Sequence, residues 1–432
     1  MGNRLKRFLI MVLVFLSVSI CAHLCRGDDT RKEQLTLSDC IQLALENHPK
    51  LAIYRAKTSQ KERDFHIAKV SGLPIADLDV SYSRLSYVPQ AKQRFIGNSN
   101  NDYQAEVNVK QPLFTGGRIS AGKKASKFSL DASRKDYEVT ELEVIYGVKN
   151  AYYKLLFAEQ VLSIQKELSQ HIKSFLEAAT ELYERRKFPR QETILRLQVQ
   201  MHESEQEVII AQKEKDIAKK LLLNTMGLGS DEAITSAEVD EADLTPAESL
   251  EINDNPELLR SALEIEKAKE LVKKAKSGYF PTVDLIYSHG YEWGNWPPEK
   301  DTWTAGVMVN LPLWDWGDTK ASVEKAKAYY NETKSAQDLI FREISFEMEA
   351  ARLKYESAQQ RLQIARVGQD KAKKSLDIFE SRYKDGTVTS LELLDAQQSY
   401  HRARIRYAQS LLELHLAKAE MEKVAGKEYE LK

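Results

Sequence analysis

The chain has 432 residues, 29 % of them charged and 42 % hydrophobic, a balance that excludes disorder and fits two or three domains or one long repeated architecture. Lys and Arg (63) nearly cancel Asp and Glu (64), which removes the electrostatic footprint of a nucleic-acid binder. Only 18 glycines and 11 prolines punctuate the sequence, and this scarcity favours long uninterrupted helices over a loop-rich fold.

In chain order, residues 1–27 read as a secretory signal. Arg4, Lys6 and Arg7 form a basic start, and Phe8 to Ile20 is an apolar run too short and too early for a membrane span. Cleavage is expected between Ala22 and Gly27. Lipidation at Cys21 or Cys25 would want a small residue just before the cysteine, where Ile20 and Leu24 stand. After cleavage Cys40 remains, so neither a disulfide framework nor a thiolate metal cluster is expected. A helix is expected from Ser38, as N-cap, to about Lys69, kinked at Pro49. Two strands follow. In 76–83, Ala76, Leu78, Val80 and Tyr82 alternate with Asp77, Asp79, Ser81 and Ser83; in 103–110, Tyr103, Ala105, Val107 and Val109 alternate with Gln104, Glu106, Asn108 and Lys110. A period of two gives each strand one apolar and one polar face. From Arg118 to Glu184 no proline occurs, a rod of roughly 100 Å at 1.5 Å per residue. It turns back near Phe188-Pro189, and the acidic stretch 231–243 reads as a linker.

Beyond the linker the landmarks return. Leu43–Leu51 resembles Leu250–Leu258, and Leu73-Pro74 resembles Phe280-Pro281, both pairs 207 positions apart. The segment Gln111–Gly117 matches Leu311–Gly317, and Tyr183, Glu192 and Gln198 match Tyr383, Glu392 and Gln398, all 200 positions apart. This order argues for duplication, with a first repeat at 28–230, a second at 244–426 and a tail at 427–432. The second half repeats the strand pair with Val283, Leu285 and Tyr287, then Trp303, Ala305, Val307 and Val309. In its long helix Met348, Ala351, Tyr355, Ala358, Leu362, Ala365, Gln369, Ala372, Leu376, Phe379 and Tyr383 step by threes and fours, a heptad seam. A turn at Asp385-Gly386 ends it.

The strands pose a physical problem. Their polar faces are costly against lipid and their apolar faces are exposed in water; a sheet with lipid on one side and a wet lumen on the other satisfies both. Strands are expected at about 76–87, 102–113, 282–291 and 301–312. Leu78, Val80, Val107, Val109, Val307 and Val309 are expected to face lipid, and Asp79, Glu106 and Asn108 the lumen. All five tryptophans (293, 296, 303, 314 and 316) fall in or beside the second strand pair, as an interfacial aromatic belt requires. Four strands cannot close a barrel, and open edges are not tolerated in lipid, so several chains must share one.

Three segments carry a family resemblance: Gln-Pro-Leu-Phe-Thr-Gly-Gly-Arg (111–118), Gly-Tyr-Phe-Pro (278–281) and Tyr-Lys-Asp-Gly-Thr…Glu-Leu-Leu-Asp-Ala (383–396). With the duplicated plan, which runs from Leu35 to about Gly426, the chain resembles the TolC-like outer-membrane efflux proteins. The resemblance implies an all-α protein with a membrane β-barrel portion. Three chains would contribute twelve strands to one barrel, continued by an α-helical barrel in the periplasm of a Gram-negative bacterium. It also implies a periplasmic adaptor and an inner-membrane transporter as partners, in efflux or type I secretion. The family narrows its periplasmic end with inward-facing acidic residues after the second hairpin, where Glu392 and Asp395 stand, with Glu192 as first-half counterpart. Their i, i+3 spacing puts Glu392 and Asp395 on one helical face, and a trimer would gather such carboxylates around one axis. The hairpin tips, Arg186 and Lys187 in the first half and Asp385, Gly386 and Thr387 in the second, are the implied adaptor-docking points. Two positions depart from the pattern. Val388 stands where family members often carry an arginine that helps hold the closed state, and Arg185-Arg186-Lys187 lacks the glycine of a docking tip.

No enzyme constellation is present: the sequence has no nucleophile elbow, Walker loop or Cys/His cluster, and its eight histidines lack metal spacing. No cofactor or metal is expected. The alternative is a periplasmic coiled-coil adaptor or scaffold, which would lack paired amphipathic strands in two repeated halves.

Overall fold

The structure is a computed structural model, and it describes residues 33–186, 191–229, 234–236, 251–296 and 301–427. Strand β1 (Glu33–Leu35) leads into helices α1 (Leu37–Asn47) and α2 (Pro49–Val70). Thr36, not Ser38, caps α1: its hydroxyl accepts from the Asp39 amide while the Asp39 carboxylate accepts from the Thr36 amide, 3.2 and 2.9 Å. This reciprocal capping box satisfies two orphan donors and outcompetes a cap two residues later. The expected kink at Pro49 is a full break. Proline cannot donate an amide to the preceding turn and holds the residue before it extended, so His48 (φ −68°, ψ 124°) ends one helix and caps the next.

Strands β2 (Ile75–Arg84) and β3 (Asn101–Phe114) follow, with a single helical turn, α3 (Gln93–Ile96), between them. Helix α4 (Arg118–Arg186) has 69 residues and α5 (Gln191–Met226) has 36. The expected first-half turn, with Lys187, lies outside the described residues. The stretch expected to be a linker contributes β4 (Ile234–Ser236), which pairs in parallel with β1. The second half then runs α6 (Pro256–Lys276), β5 (Thr282–Trp293), β6 (Asp301–Asn310), α7 (Asp318–Lys384, 67 residues) and α8 (Ser390–Ala425).

Helix α4 is the spine, packed along its length by α1, α2, α5, α6 and α8. Near its middle Val148, Tyr152 and Leu155 meet Cys40, Ile41 and Leu51 on one side and Leu222, Leu223 and Met226 on the other, all essentially inaccessible. Burial here is hydrophobic stabilisation of the usual kind, worth about 1.5–3 kcal/mol per large side chain. Further along, Ile172 and Ala179 of α4, Leu197 of α5 and Leu394 of α8 form a second core where the two hairpins touch. The α7 seam lies where the heptads place it: Ala351, Tyr355, Ala358 and Leu376 are buried, and none of the eleven seam positions is exposed.

The strands form one antiparallel sheet in the order β2-β3-β5-β6, so β3 and β5 join the two halves of the chain. The edges, β2 and β6, have no partner among the described strands. Gly116-Gly117 turns the chain from β3 into α4 with φ of 60° and 87°. At Gly116 a side chain is excluded twice over, by the left-handed backbone and by Phe280 Cβ and the Ser277 carbonyl, 2.7 and 2.8 Å from where a Cβ would sit.

Candidate functional site

Opposite residues on an antiparallel ladder share a face, so the register sorts the sheet completely. One face carries rows running across strands: Leu78, Val107, His289 and Trp303; Ala76, Val109, Tyr287 and Ala305; then Leu285 with Val307 and Val283 with Val309. Leu78, Val80, Val107, Val307 and Val309 are exposed and Val109 is half-buried; all six lie on this one face. The other face is mainly polar, with Ile75, Ile286 and Met308 toward its helix end. Asp79, Glu106, Gly290 and Thr302 form one row, and Asp77, Asn108, Ser288 and Thr304 the next. The Asn108 amide donates to the Asp79 carboxylate at 2.8 Å, and Lys110 pairs with Asp284 at 3.0 Å.

Aromatic groups collect at both ends of the strands. Tyr82, Tyr103 and Trp293 stack across three strands at the loop end, ring centroids 4.9 and 5.8 Å apart, with Trp296 beside them. At the helix end Trp314 and Trp316 meet edge to face at 5.6 Å, and both are exposed. Ten residues at ~3.4 Å each, tilted by ~40°, span about 26 Å, the height of an outer-membrane apolar band. Among the described residues no helix is long and apolar enough to cross a membrane.

At the far end of α7 the chain reverses through Asp385, Gly386 and Thr387, all exposed. Gly386 takes φ 71°, and the Thr387 amide donates back to the Arg382 carbonyl at 2.9 Å. Glu392 and Asp395 lie just beyond, both exposed and on the side of α8 away from buried Leu393, Leu394 and Ala396. Glu192 is likewise exposed at the start of α5. The side chain of Glu392 has a local task that sequence reading missed, although Thr389-x-x-Glu392 is the capping-box signature. Its carboxylate accepts from the Thr389 amide (2.7 Å) and hydroxyl (2.9 Å), and these donors hold its carboxyl below the usual range.

Two further groups were not legible. Lys92, in the loop after β2, ion-pairs with Asp102 and with Glu292 (2.9 Å) on the polar face. On α8, His401 is buried between the hairpins with no partner on Nδ1, and Gln397, one turn earlier, has none on Oε1. Desolvation pushes the His401 imidazole down to about 4. Among the described residues no group of three or more His, Cys, Asp or Glu side chains could hold a metal.

Set against known proteins, the TolC outer membrane protein of Salmonella enteritidis is 22 % identical over 433 residues, covering 93 % of this chain and 82 % of that protein. Among solved structures the CmeC outer membrane channel of Campylobacter jejuni superposes with a TM-score of 0.78 at 20 % identity, covering 90 % of this chain and 85 % of that one. The VceC outer membrane protein of Vibrio cholerae gives 0.76 at 18 %, covering 90 % and 96 %. At such identities the structures share the fold. The model of the family described as "Outer membrane efflux protein" matches twice, over residues 40–227 and 249–427. Each matched stretch carries one strand pair and one of the two long helices, and the chain belongs to the outer membrane efflux protein family.

Proposed function

We propose that this chain is one protomer of a trimeric export duct that crosses the outer membrane and reaches into the periplasm, working with a periplasmic adaptor and an inner-membrane transporter. The observation that carries the reading is a four-stranded sheet with one apolar face, one polar face and two free edges. Such a sheet is viable in lipid only if its edges pair with other copies, β6 of one chain against β2 of the next, and its polar face turns to water. Three copies give twelve strands.

The helices support a ring of the same hand. On α7, Leu339, Phe346 and Leu353 recur every seven residues, with Val367 two heptads on, as an exposed apolar stripe. Elsewhere α4, α5 and Ile405 of α8 line a groove of about 390 Å³ that includes Phe157, Ile210, Ile217 and Leu221. A stripe of one copy seated in the groove of the next would be a head-to-tail contact, the kind that generates a ring where its rotation closes. In that ring Glu392 and Asp395, with Glu192, would gather at the periplasmic aperture. The exposed Asp385-Gly386-Thr387 turn, with Arg186 and Lys187 of the first hairpin, would meet the adaptor.

The direct test is the mass of the protein in mild detergent by native mass spectrometry or light scattering, with carbonate-washed membranes as the source. A trimer retained in the outer-membrane fraction is the expected result. A monomer, or release by carbonate, overturns the reading.

A further inference from the structure

The loop between β2 and β3 does not stand away from the sheet as a hairpin connection would. Leu85 and Asn100 still pair, the Leu85 amide donating to the Asn100 carbonyl at 2.7 Å, so a two-residue turn could close the strands there. Fourteen residues are inserted instead, 86–99, and side chains among them bond to the sheet at the loop end of the strands. Lys92 reaches down between Asp102 and Glu292, pairing with both carboxylates. Gln104, between those two acids, donates to Glu292 and Asp102 at 3.3 Å each. Asp102 is left 1 % exposed, whereas Gln104, Glu106 and Asn108, next along that face, are half-buried. The Ser99 hydroxyl donates to the Gly294 carbonyl at 3.1 Å, and Ile96 is buried. Gly294 has room for nothing more: a Cβ there would lie 2.3 Å from the Ile96 carbonyl oxygen.

We propose that residues 85–100 form a strap across the outer mouth of the duct, held over the lumen by the Lys92 bridge to Asp102 and Glu292. This rests on the duct reading, which makes the polar face the lumen wall and the loop end the outside. Twelve strands ~4.8 Å apart and tilted by ~40° enclose a backbone radius of about 12 Å. One helical turn with its side chains is about 10 Å across. Three copies of α3 on the inner wall therefore leave a passage for ions and small solutes but not for bulky ones. The bridge sets the strength of the closure. Among the described residues Lys92 is the one cation paired with these two acids, one fully and one largely buried, and removing it leaves them to repel each other and favours a hydrated, lifted strap. Cargo arriving from the periplasm would lift the strap by competing for those two carboxylates, which makes cationic groups the effective ones.

The test uses Thr304→Cys as a reporter, on the polar face two rungs inward of the strap, in the full-length protein on intact cells, with the parent chain as the labelling blank. Two membrane-impermeant maleimides are added outside, one small and sulfonated, one carrying a ~2 kDa polyethylene glycol. The small reagent is expected to label Thr304→Cys in every background. The bulky one is expected to label it slowly in the parent and at least tenfold faster in Lys92→Gln, and equally fast when 86–99 is replaced by Asn-Gly. The Asn-Gly variant keeps the test valid if Lys92→Gln folds poorly. Equal bulky labelling in the parent and the Asn-Gly variant, with the small reagent reacting in both, overturns the strap and leaves the duct standing. Failure of even the small reagent in the Asn-Gly variant means that the polar face is no lumen wall and overturns both.

Discussion

Val107 and Asn108 are adjacent on β3, and their side chains leave opposite faces of the sheet. The difference between them is therefore a measurement of which face meets lipid. Val107→Arg places a charge near the middle of the apolar band, where it should cost about 2–4 kcal/mol, and Asn108→Arg should cost far less. Folding into lipid vesicles under urea titration compares the two, and equal defects would contradict the register. Glu392 and Asp395 need a finer instrument, because Glu392 also caps its own helix. Glutamine at this third helical position keeps a capping box, so Glu392→Gln with Asp395→Asn removes charge and spares structure. A channel carrying both changes should be less cation-selective and less blocked by divalent ions added from the periplasmic side, since a charged ring acts where low-dielectric walls focus its field. Planar-bilayer recordings of a variant shown to be trimeric decide it; unchanged selectivity and block would leave the two carboxylates as a solvated face. Trp316 holds a left-handed backbone, φ 53°, at the position of Gly116 in the first half, a strain an L side chain seldom accepts. An exposed ring set edge to face against Trp314, at the membrane border of the proposed duct, is the compensating use.

Among the elements, the contact between the two hairpins carries a titration. His401 of α8 faces Glu167 and His171 of α4, with Arg404 one turn on and Tyr400 beside it; Arg404 ion-pairs with Glu167. The imidazole is buried neutral, with its pKa down at about 4, while a solvated histidine titrates near 6.5. Above that value the contact pays nothing for this group. As the pH falls from about 6.5 toward 4 the separated state binds the proton and the packed state does not, so packing weakens, by about thirtyfold at pH 5. Hydrogen exchange along residues 390–410, corrected for intrinsic rate, should show protection lost between pH 7 and pH 5, and His401→Phe should hold it; identical behaviour of the two would refute the assignment. The element pattern was largely open to sequence reading. Alternation, cleaner in the first half than in the second, placed the four strands to within three residues at each end, and the α7 seam fell on its heptads, because both signals are periodic and local. The α1 cap was misplaced by two residues since Thr36 and Ser38 are equally good caps until Asp39 chooses between them. Lys92 and His401 were opaque for a different reason: Lys92 owes its setting to residues 10 and 200 positions away and His401 to one 230 positions away, and no local pattern encodes such a meeting.

For the whole molecule, the paired landmarks fall at helix starts: Pro49 and Pro256 open α2 and α6, and Gly117 and Gly317 stand just before α4 and α7. They did not reveal that β1 and β4 tie the start of the described chain to the join between halves; three-residue strands carry too few side chains to show a period. The two free sheet edges have a further consequence, for manufacture. As the proposed duct protomer, a single chain would travel through water between export and insertion with two edges unpaired among the described strands, a face of valine, leucine and tyrosine, and the exposed α7 stripe. Edges of that kind template unwanted pairing with any other strand they meet. In the trimer proposed above, correct assembly needs three copies while misassembly needs only two, so crowding the periplasm would favour aggregates early. Yield should therefore peak at modest expression and depend on holding chaperones that cover the sheet until its neighbours arrive.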